Sequence, residues 1–327
     1  MPNTPKISVC IPTYNRAAYV GEAIKSALNQ TLKDFELIIL DDGSTDNTTK
    51  VISKFKDPRI KFYKNDKNTG MVPAWNKAVS LASGKYITVL HSDDRYLPGF
   101  LEEQSKLLDE NPDVGFAFSA CRIIDENGDL RWVHKWKKFT HFGLFKTAKD
   151  RKTQILKGEK LIKELIFNNF IRFPTVMIRR ECYDKVGMYT DKFRFGMDWF
   201  MWMQIALHYK VAYSDKALAD YRKHSGADTS YLVTIGENAI DDYKVVTAIL
   251  EEVKTKNIFS KKEEDATLHN IIRNLLQNQF QRIWQRLKQK KWKDTKYEYS
   301  RLKEWQKQFN IRPSPADIIA AILPIKL

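Results

Sequence analysis

Asp93 and Asp94 stand side by side directly after the apolar run Tyr86-Ile87-Thr88-Val89-Leu90, in the stretch His91-Ser92-Asp93-Asp94. Two adjacent carboxylates repel each other. A strand end that keeps such a pair either exposes it to water, as an acidic turn that caps the next helix, or offers it to a positive partner. Oxygen donors of this kind suit a hard divalent cation such as Mg2+ or Mn2+. What such a cation would do depends on which other polar groups the fold brings to the same place.

The alternation of elements predicts that it brings several. Ile7 to Ile11 reads as a strand, and Val20, Ala23, Ile24, Ala27 and Leu28 form one apolar stripe of a helix. Phe35 to Leu40 is a nearly continuous apolar run, as expected of a parallel strand covered on both faces. A helix over Thr48 to Phe55, a strand over Ile60 to Tyr63, a helix over Met71 to Ala82 and a strand over Lys85 to Leu90 follow. This order predicts a doubly wound α/β sheet, in which ligands bind beyond the carboxyl ends of the strands. Four polar clusters fall there: Thr13 to Arg16, Asp41 to Ser44, Asn65 to Gly70, and His91 to Asp94. Neither Gly-x-Gly-x-x-Gly after the first strand nor a Gly-x-x-x-x-Gly-Lys-Ser/Thr loop occurs. A nucleotide would therefore be held by side chains and a metal.

Further along, a helix over Phe100 to Leu108, a strand over Val114 to Ile124 and a hairpin turn at Asp125 to Asp129 are expected. A helix over Lys160 to Phe167, a strand over Thr175 to Arg179, a buried helix over Trp199 to Tyr209 and strands at Val211 to Tyr213 and Ala217 to Tyr221 complete the domain. Asp198 sits where that buried helix begins, as an N-cap would. From Tyr231 onward the pattern is helical and closes with Ala316 to Leu323.

The 327 residues carry a formal net charge of +15, which favours anionic partners. Eleven Lys or Arg against two acids lie between Arg131 and Lys163, among Trp132, Trp136, Phe139, Phe142 and Phe145. The stretch from Arg273 to Lys307 again holds eleven basic residues, against three acidic ones. Either segment reads as a solvated face or as an anion-binding surface. Cys10, Cys121 and Cys182 lie far apart with no CxxC spacing, which argues against a zinc site or a disulfide framework. With no signal-peptide pattern and no apolar run of about 18 residues, a cytoplasmic chain is expected.

Taken together, Ser8-Val9-Cys10-Ile11-Pro12-Thr13-Tyr14-Asn15-Arg16, Asp41-Asp42-Gly43-Ser44-Thr45-Asp46, Asn68-x-Gly70, Trp75-Asn76, Gly84-Lys85-Tyr86-Ile87 and His91-Ser92-Asp93-Asp94 resemble the family 2 glycosyltransferases. Val186-Gly187-Met188-Tyr189, Asp198-Trp199 and Tyr221-Arg222-x-His224 extend the resemblance to about Ser230. It implies a GT-A fold: a doubly wound, mostly parallel sheet flanked by helices, with a helical C-terminal extension. Residues 1–230 would form the catalytic domain, with a donor half (1–112) and an acceptor half (113–230) carrying a basic aromatic loop at 131–159. Residues 231–327 would form the basic helical extension.

The resemblance also implies roles. Pro12, Thr13 and Tyr14 would pack on the base and ribose of a nucleoside-diphosphate sugar, a UDP-sugar first, and Asp42 would accept a hydrogen bond from the base. Asn68, Gly70 and Asn76 would approach the diphosphate or ribose, though Trp75 stands where many members carry an arginine. His91, Ser92 and Asp93 would face the donor, and Asp94 would bind Mn2+ or Mg2+. Ser92 replaces the first acid of a strict Asp-x-Asp, leaving the metal to Asp94 and His224, the latter equally readable as a surface residue. Asp198 would be the base in an inverting transfer to a glycan or lipid-linked acceptor, in polysaccharide or glycolipid synthesis. A sugar nucleotidyltransferase would more usually show a glycine-rich basic loop after the first strand. A nucleic-acid-binding protein would not line its groove with Asp41, Asp42, Asp93 and Asp94. For the basic segments, contact with the anionic inner face of a membrane is the preferred reading, with Ile318 to Leu323 either a shallow anchor or a packed helix.

Overall fold

The structure is a computed structural model that describes residues 4–136, 152–226, 237–254 and 256–308. The chain divides into two compact units, Met1–Asp191 with Asp198–Ala227, and Lys192–Met197 with Asp228–Leu327.

The first unit is built on a ten-stranded sheet. Strands β1 (Ile7–Thr13), β2 (Phe35–Asp41), β3 (Ile60–Lys64) and β4 (Tyr86–Val89) alternate with helices α1 (Val20–Leu28), α2 (Thr48–Ile52) and α3 (Met71–Ser80). All residues of β1, β2 and β4 are buried, as their apolar runs require of strands covered on both faces. The stripe of α1 buries Val20, Ala23, Ile24 and Ala27 against this sheet. The second half contributes β5 (Arg95–Tyr96), α4 (Phe100–Glu110), β6 (Val114–Ile124), β7 (Leu130–His134), β8 (Gln154–Leu156) and α5 (Gly158–Leu165). After them come β9 (Met177–Arg179), α6 (Arg180–Val186), α7 (Met197–Ala206) and β10 (Lys210–Arg222).

The sheet order is β3-β2-β1-β4-β9-β6-β10-β5, with β7 on β6 and β8 on β10. The pairs β1–β2, β1–β4, β2–β3 and β6–β10 are parallel. Short β9 runs antiparallel to both β4 and β6, which leaves those two pointing the same way. The carboxyl ends of β1, β2, β3, β4, β6 and β10 therefore share one rim, and the polar clusters of both halves meet there.

Several expected boundaries shift. The last expected strands, 211–213 and 217–221, are one strand with register shifts around Ala217, so the polar Ser214-Asp215-Lys216 stretch is a bulge within it. The strand expected from Thr175 is preceded by a 3-10 turn, Phe173–Thr175, which Pro174 opens. The buried helix starts at Met197, not Trp199. Asp198 thus lies inside its first turn and is not its N-cap, with its carboxylate near the positive end of the helix.

In the second unit, helices span Glu237–Lys254, Lys261–Lys288 and Trp292–Gln308. Val245, Val246, Ile249, Leu250 and Val253 form the buried stripe of the first. Asp241 on that helix accepts the backbone N–H of Phe195. The apolar run Ala316 to Leu323 and most of the basic aromatic loop lie outside the described residues. No described helix is long and apolar enough to cross a membrane.

Candidate active site

The turn after β1 is fixed by the turn after β2. Asn15 adopts a left-handed backbone, φ 50°, and its Oδ1 accepts the N–H of Thr45 at 2.9 Å. The N–H of Asn15 in turn donates to Ser44 Oγ at 3.0 Å. Pro12 is buried in the β1–β2 ladder, while Tyr14 is 39 % exposed beyond it. Between them, Thr13 is buried and its hydroxyl has no partner among the described residues. Gly43 has φ 75°, and a Cβ there would lie 2.6 Å from the carbonyl carbon of Lys67. Only glycine lets the turn after β2 approach the 65–70 loop this closely.

Asp42 is 2 % exposed and already saturated by the chain. Its carboxylate accepts Asn65 Nδ2 at 2.6 Å, Thr69 Oγ1 at 2.8 Å, Thr69 N at 2.9 Å and Gly70 N at 3.1 Å. A carboxylate has about four acceptor positions. In this structure the carboxylate holds the 65–70 loop in place. Asp42→Ala is expected to lower stability by about 2–4 kcal/mol, read as a lower urea midpoint, because two backbone N–H groups and two side chains lose their acceptor.

Asn76 also holds a neighbouring segment. Its Nδ2 donates to the Tyr189 carbonyl at 2.8 Å and its Oδ1 accepts the Tyr189 N–H at 3.0 Å. Both ends of the amide clamp the segment at Tyr189, and one N–H of the amide remains. Asn68 and Gly70 stay at the rim. Asn68 is exposed and caps its own turn by accepting the Gly70 N–H at 2.9 Å, and Gly70, φ 98°, opens α3.

Asp94 is 2 % exposed, with Oδ1 accepting the Arg222 backbone N–H at 2.8 Å. Its other oxygen, Oδ2, is buried with no hydrogen-bond partner. Burial, and then the charge of Asp93, hold its pKa well above the ordinary carboxylate value. Asp93 goes the other way: burial works against its charged form, but the His224 hydrogen bond and the charges of His91 and Arg16 outweigh this and keep its pKa below the usual value. A buried carboxylate oxygen with no hydrogen bond, beside a second carboxylate, suits a positive partner, and the His91 ring lies next to it, Nδ1 3.9 Å away. Ligand atoms of His91, Asp93 and Asp94 all lie within 4.8 Å of one another. Two carboxylates and an imidazole fit a divalent cation, Mn2+ more readily than Mg2+ because of the nitrogen.

His224 lies against the same acidic pair. His224 Nε2 lies 3.1 Å from Asp93 Oδ2, and its ring packs 5.0 Å from that of Tyr19. It orients Asp93, while the grouped ligand atoms are those of His91, Asp93 and Asp94. Ser92 is buried between them. Arg222, with a fully buried side chain, straps the turn: Nε donates to the Asp93 carbonyl at 2.8 Å and Nη2 pairs with Glu22 at 2.7 Å. Arg222 could have been read from its place at the end of the last strand, where only the fold shows that β10 lies beside the acidic turn.

From this corner an aromatic wall leads to Asp198. The His91 ring stacks on Phe173, centroids 4.2 Å apart at 18°, and lies 4.9 Å from Trp75. Phe173 packs 5.8 Å from Trp202 of α7, and Trp75 packs 5.5 Å from Tyr189. Trp75 is thus a wall residue. Asp198 keeps some exposure, yet burial pushes its pKa up to about 6, against the hydrogen bond from Trp199 N at 2.7 Å, that from Asn169 and the charge of Arg172. The Asn169 amide sits 3.4 and 3.5 Å from the two oxygens. Such a carboxylate is ionised at neutral pH yet basic enough to accept a proton. Asn169 and Phe173 carry no motif that singles them out in the sequence.

The family description "Glycosyl transferase family 2" matches residues 8–187. An uncharacterized glycosyltransferase of Methanocaldococcus jannaschii is 34 % identical over 67 % of this chain and 71 % of its own length. An uncharacterized protein of Mycobacterium tuberculosis is 29 % identical over 78 % of this chain and 79 % of its own. An uncharacterized glycosyltransferase of Rickettsia conorii is 31 % identical over 82 % of this chain but only 44 % of its own length. Among solved structures, residues 1–349 of Staphylococcus aureus TarS in complex with UDP-GlcNAc align with a TM-score of 0.54 at 19 % identity, over 93 % of this chain and 92 % of that one. A Pyrobaculum calidifontis mannosyltransferase in complex with GDP-Man and Mn2+ aligns with a TM-score of 0.57 at 13 % identity, over 98 % and 79 %. At these identities the structural likeness speaks for a shared fold, the GT-A type.

Proposed function

The chain belongs to glycosyl transferase family 2, and from that premise we propose that it moves a sugar, with inversion, from a nucleoside-diphosphate sugar to a hydroxyl of a glycan or lipid-linked acceptor. The observation that carries this reading is the orphaned Asp94 oxygen within a His91, Asp93 and Asp94 set, placed on the rim where the nucleotide-facing turns end. Residues 1–230 carry out the transfer and 231–327 form the helical extension.

His91, Asp93 and Asp94 would hold the cation, Mn2+ or Mg2+. When bound, such an ion meets the charge that grows on the leaving diphosphate. Tyr14, exposed beside the buried Thr13, offers a ring for the base, and Asn68 and Gly70 border the same opening. His224 and Arg222 keep Asp93 and its turn in place. Asp198 takes the proton of the acceptor hydroxyl as that oxygen attacks the anomeric carbon, and Asn169 steadies the carboxylate. The aromatic wall of Trp75, Phe173 and Trp202 keeps water from competing with the acceptor.

A UDP-sugar is the first donor to try, because the relatives' donors in the aligned structures are UDP-GlcNAc and GDP-Man. The basic stretches of the sequence, 131–163 and 273–307, suit a lipid-linked acceptor presented at an anionic membrane surface on the cytoplasmic side and a place in polysaccharide or glycolipid synthesis. Nucleic-acid binding is disfavoured, since the rim itself is acidic. The deciding experiment is a panel of UDP- and GDP-sugars tested with and without Mn2+ or Mg2+ by thermal shift and by donor hydrolysis. Metal-dependent stabilisation by at least one nucleotide is expected; none with any donor or free nucleotide would sink the reading.

A further inference from the structure

Arg172 lies on the irregular segment between α5 and the 3-10 turn, and that segment crosses the site described above. Asn169 on it reaches Asp198, and Phe173 on it stacks on His91. Arg172 stands between these two contacts in sequence. Its guanidinium carbon is 5.8 Å from the ring centroid of Tyr221 near the end of β10. Its charge is also felt by Asp198 and by Cys121 of β6. The cation therefore lies beside the end of β10, within electrostatic reach of Asp198.

The rim arginines around it are spent on the protein. Arg95 and Arg122 both pair with Asp220, at 2.8 and 2.6 Å, and Arg222 pairs with Glu22 at 2.7 Å. Arg172 differs. Its Nε is buried with no acceptor, and among the described residues its guanidinium makes no hydrogen bond or ion pair. A buried guanidinium N–H left unpaired costs free energy that the fold has no structural reason to carry. A planar fork of donors held by an aromatic neighbour is the form that recognises a phosphoryl oxygen. The chemistry of the site calls for one: a leaving nucleoside diphosphate carries more negative charge than one divalent cation neutralises.

We propose that Arg172 is an anion-binding residue of the transfer site and takes a phosphoryl oxygen, supplied either by the donor's diphosphate or by a phosphate on the acceptor. This rests on the transferase reading and adds to it a cation outside the turns that face the nucleotide. It also gives the site a counter-charge next to Asp198, on the side from which the acceptor arrives.

The test uses the full chain as wild type, Arg172→Gln and Arg172→Lys, with calorimetric titration in Mn2+. UDP and UMP are titrated first, and then inorganic phosphate is titrated into protein saturated with UDP. If the phosphoryl group is the donor's, Arg172→Gln weakens UDP about tenfold or more and leaves UMP unchanged. If it is the acceptor's, UDP is unchanged and the phosphate bound by the UDP-saturated wild type is lost in Arg172→Gln. In either case Arg172→Lys recovers part of the affinity and the melting temperature of Arg172→Gln stays near that of the wild type. Arg172→Gln that binds UDP and phosphate as the wild type does, shifting only the pH dependence of activity through Asp198, overturns the inference. So does an equal loss for UMP and UDP. A wild type that binds neither UDP nor GDP with metal overturns the transferase reading itself, an outcome distinct from both.

Discussion

Asp94→Asn is expected to lose metal-dependent transfer by about three powers of ten while folding as well as the wild type. The loss follows from removing a charge that the proposed cation would need, since such a metal would contribute several kcal/mol to the leaving group's stabilisation. The retained fold follows from the geometry. The asparagine Oδ1 can still accept the Arg222 N–H, now at 2.8 Å, and the buried Oδ2 that has no partner is replaced by an uncharged group. Repulsion from Asp93, which contributes to the perturbed state of Asp94, disappears as well. Two melting curves separate these effects. Saturating Mn2+ at 100 times its dissociation constant stabilises the wild type by about 2.7 kcal/mol, and the variant gains little. Without metal, the variant melts no lower than the wild type. A variant that responds to Mn2+ as the wild type does would show that the cation, if any, sits elsewhere.

How much of this could be read from the chain differs between its two halves. The β1 to β4 alternation was legible because buried parallel strands are continuous apolar runs and their helices carry a single stripe, so Asp41, Asp42, Asp93 and Asp94 fell at strand ends without any coordinates. Their roles were less legible. Asp42 and Asn76 look like ligand-binding groups in the sequence, and in the fold both also hold neighbouring segments, Asp42 the 65–70 loop and Asn76 the segment at Tyr189. Whether a polar side chain faces a ligand or a neighbouring loop depends on tertiary distances that no local pattern encodes. The histidines show the same dependence: both His91 and His224 reach the acid pair, and that is decided by how β10 docks beside β4's turn. Asp198 was found by its family position, but its placement within the first turn of α7, and the burial that perturbs it, came from helix boundaries that shift by two residues. Arg172 and Asn169 carry no sequence signal, since an unpaired cation can be recognised only once the partners of every other arginine on the rim are known.

Asp198→Asn is expected to move activity and stability in opposite directions, which a merely structural aspartate would not do. Transfer falls by about a thousandfold, within the range that loss of a positioned general base produces, while binding of UDP and Mn2+ is unchanged. The wild-type rate falls as pH drops through about 6, where the carboxylate takes up a proton, and the residual activity of the variant lacks this limb. The stability effect has the reverse sign. The folded value of about 6 lies above the ordinary aspartate value of 3.8, so the folded chain holds this proton more tightly than the unfolded chain does. Burial of the charged form therefore weakens the fold above about pH 6, the penalty shrinks as pH falls through that value, and it is absent below 3.8. Asparagine removes the charge and with it a penalty of about 2–3 kcal/mol. The variant should accordingly unfold at higher urea than the wild type at pH 8 and at the same urea near pH 3.5, provided both remain folded there. Equal midpoints at pH 8 together with full transfer would remove Asp198 from the chemistry and leave the proton to another group on the rim.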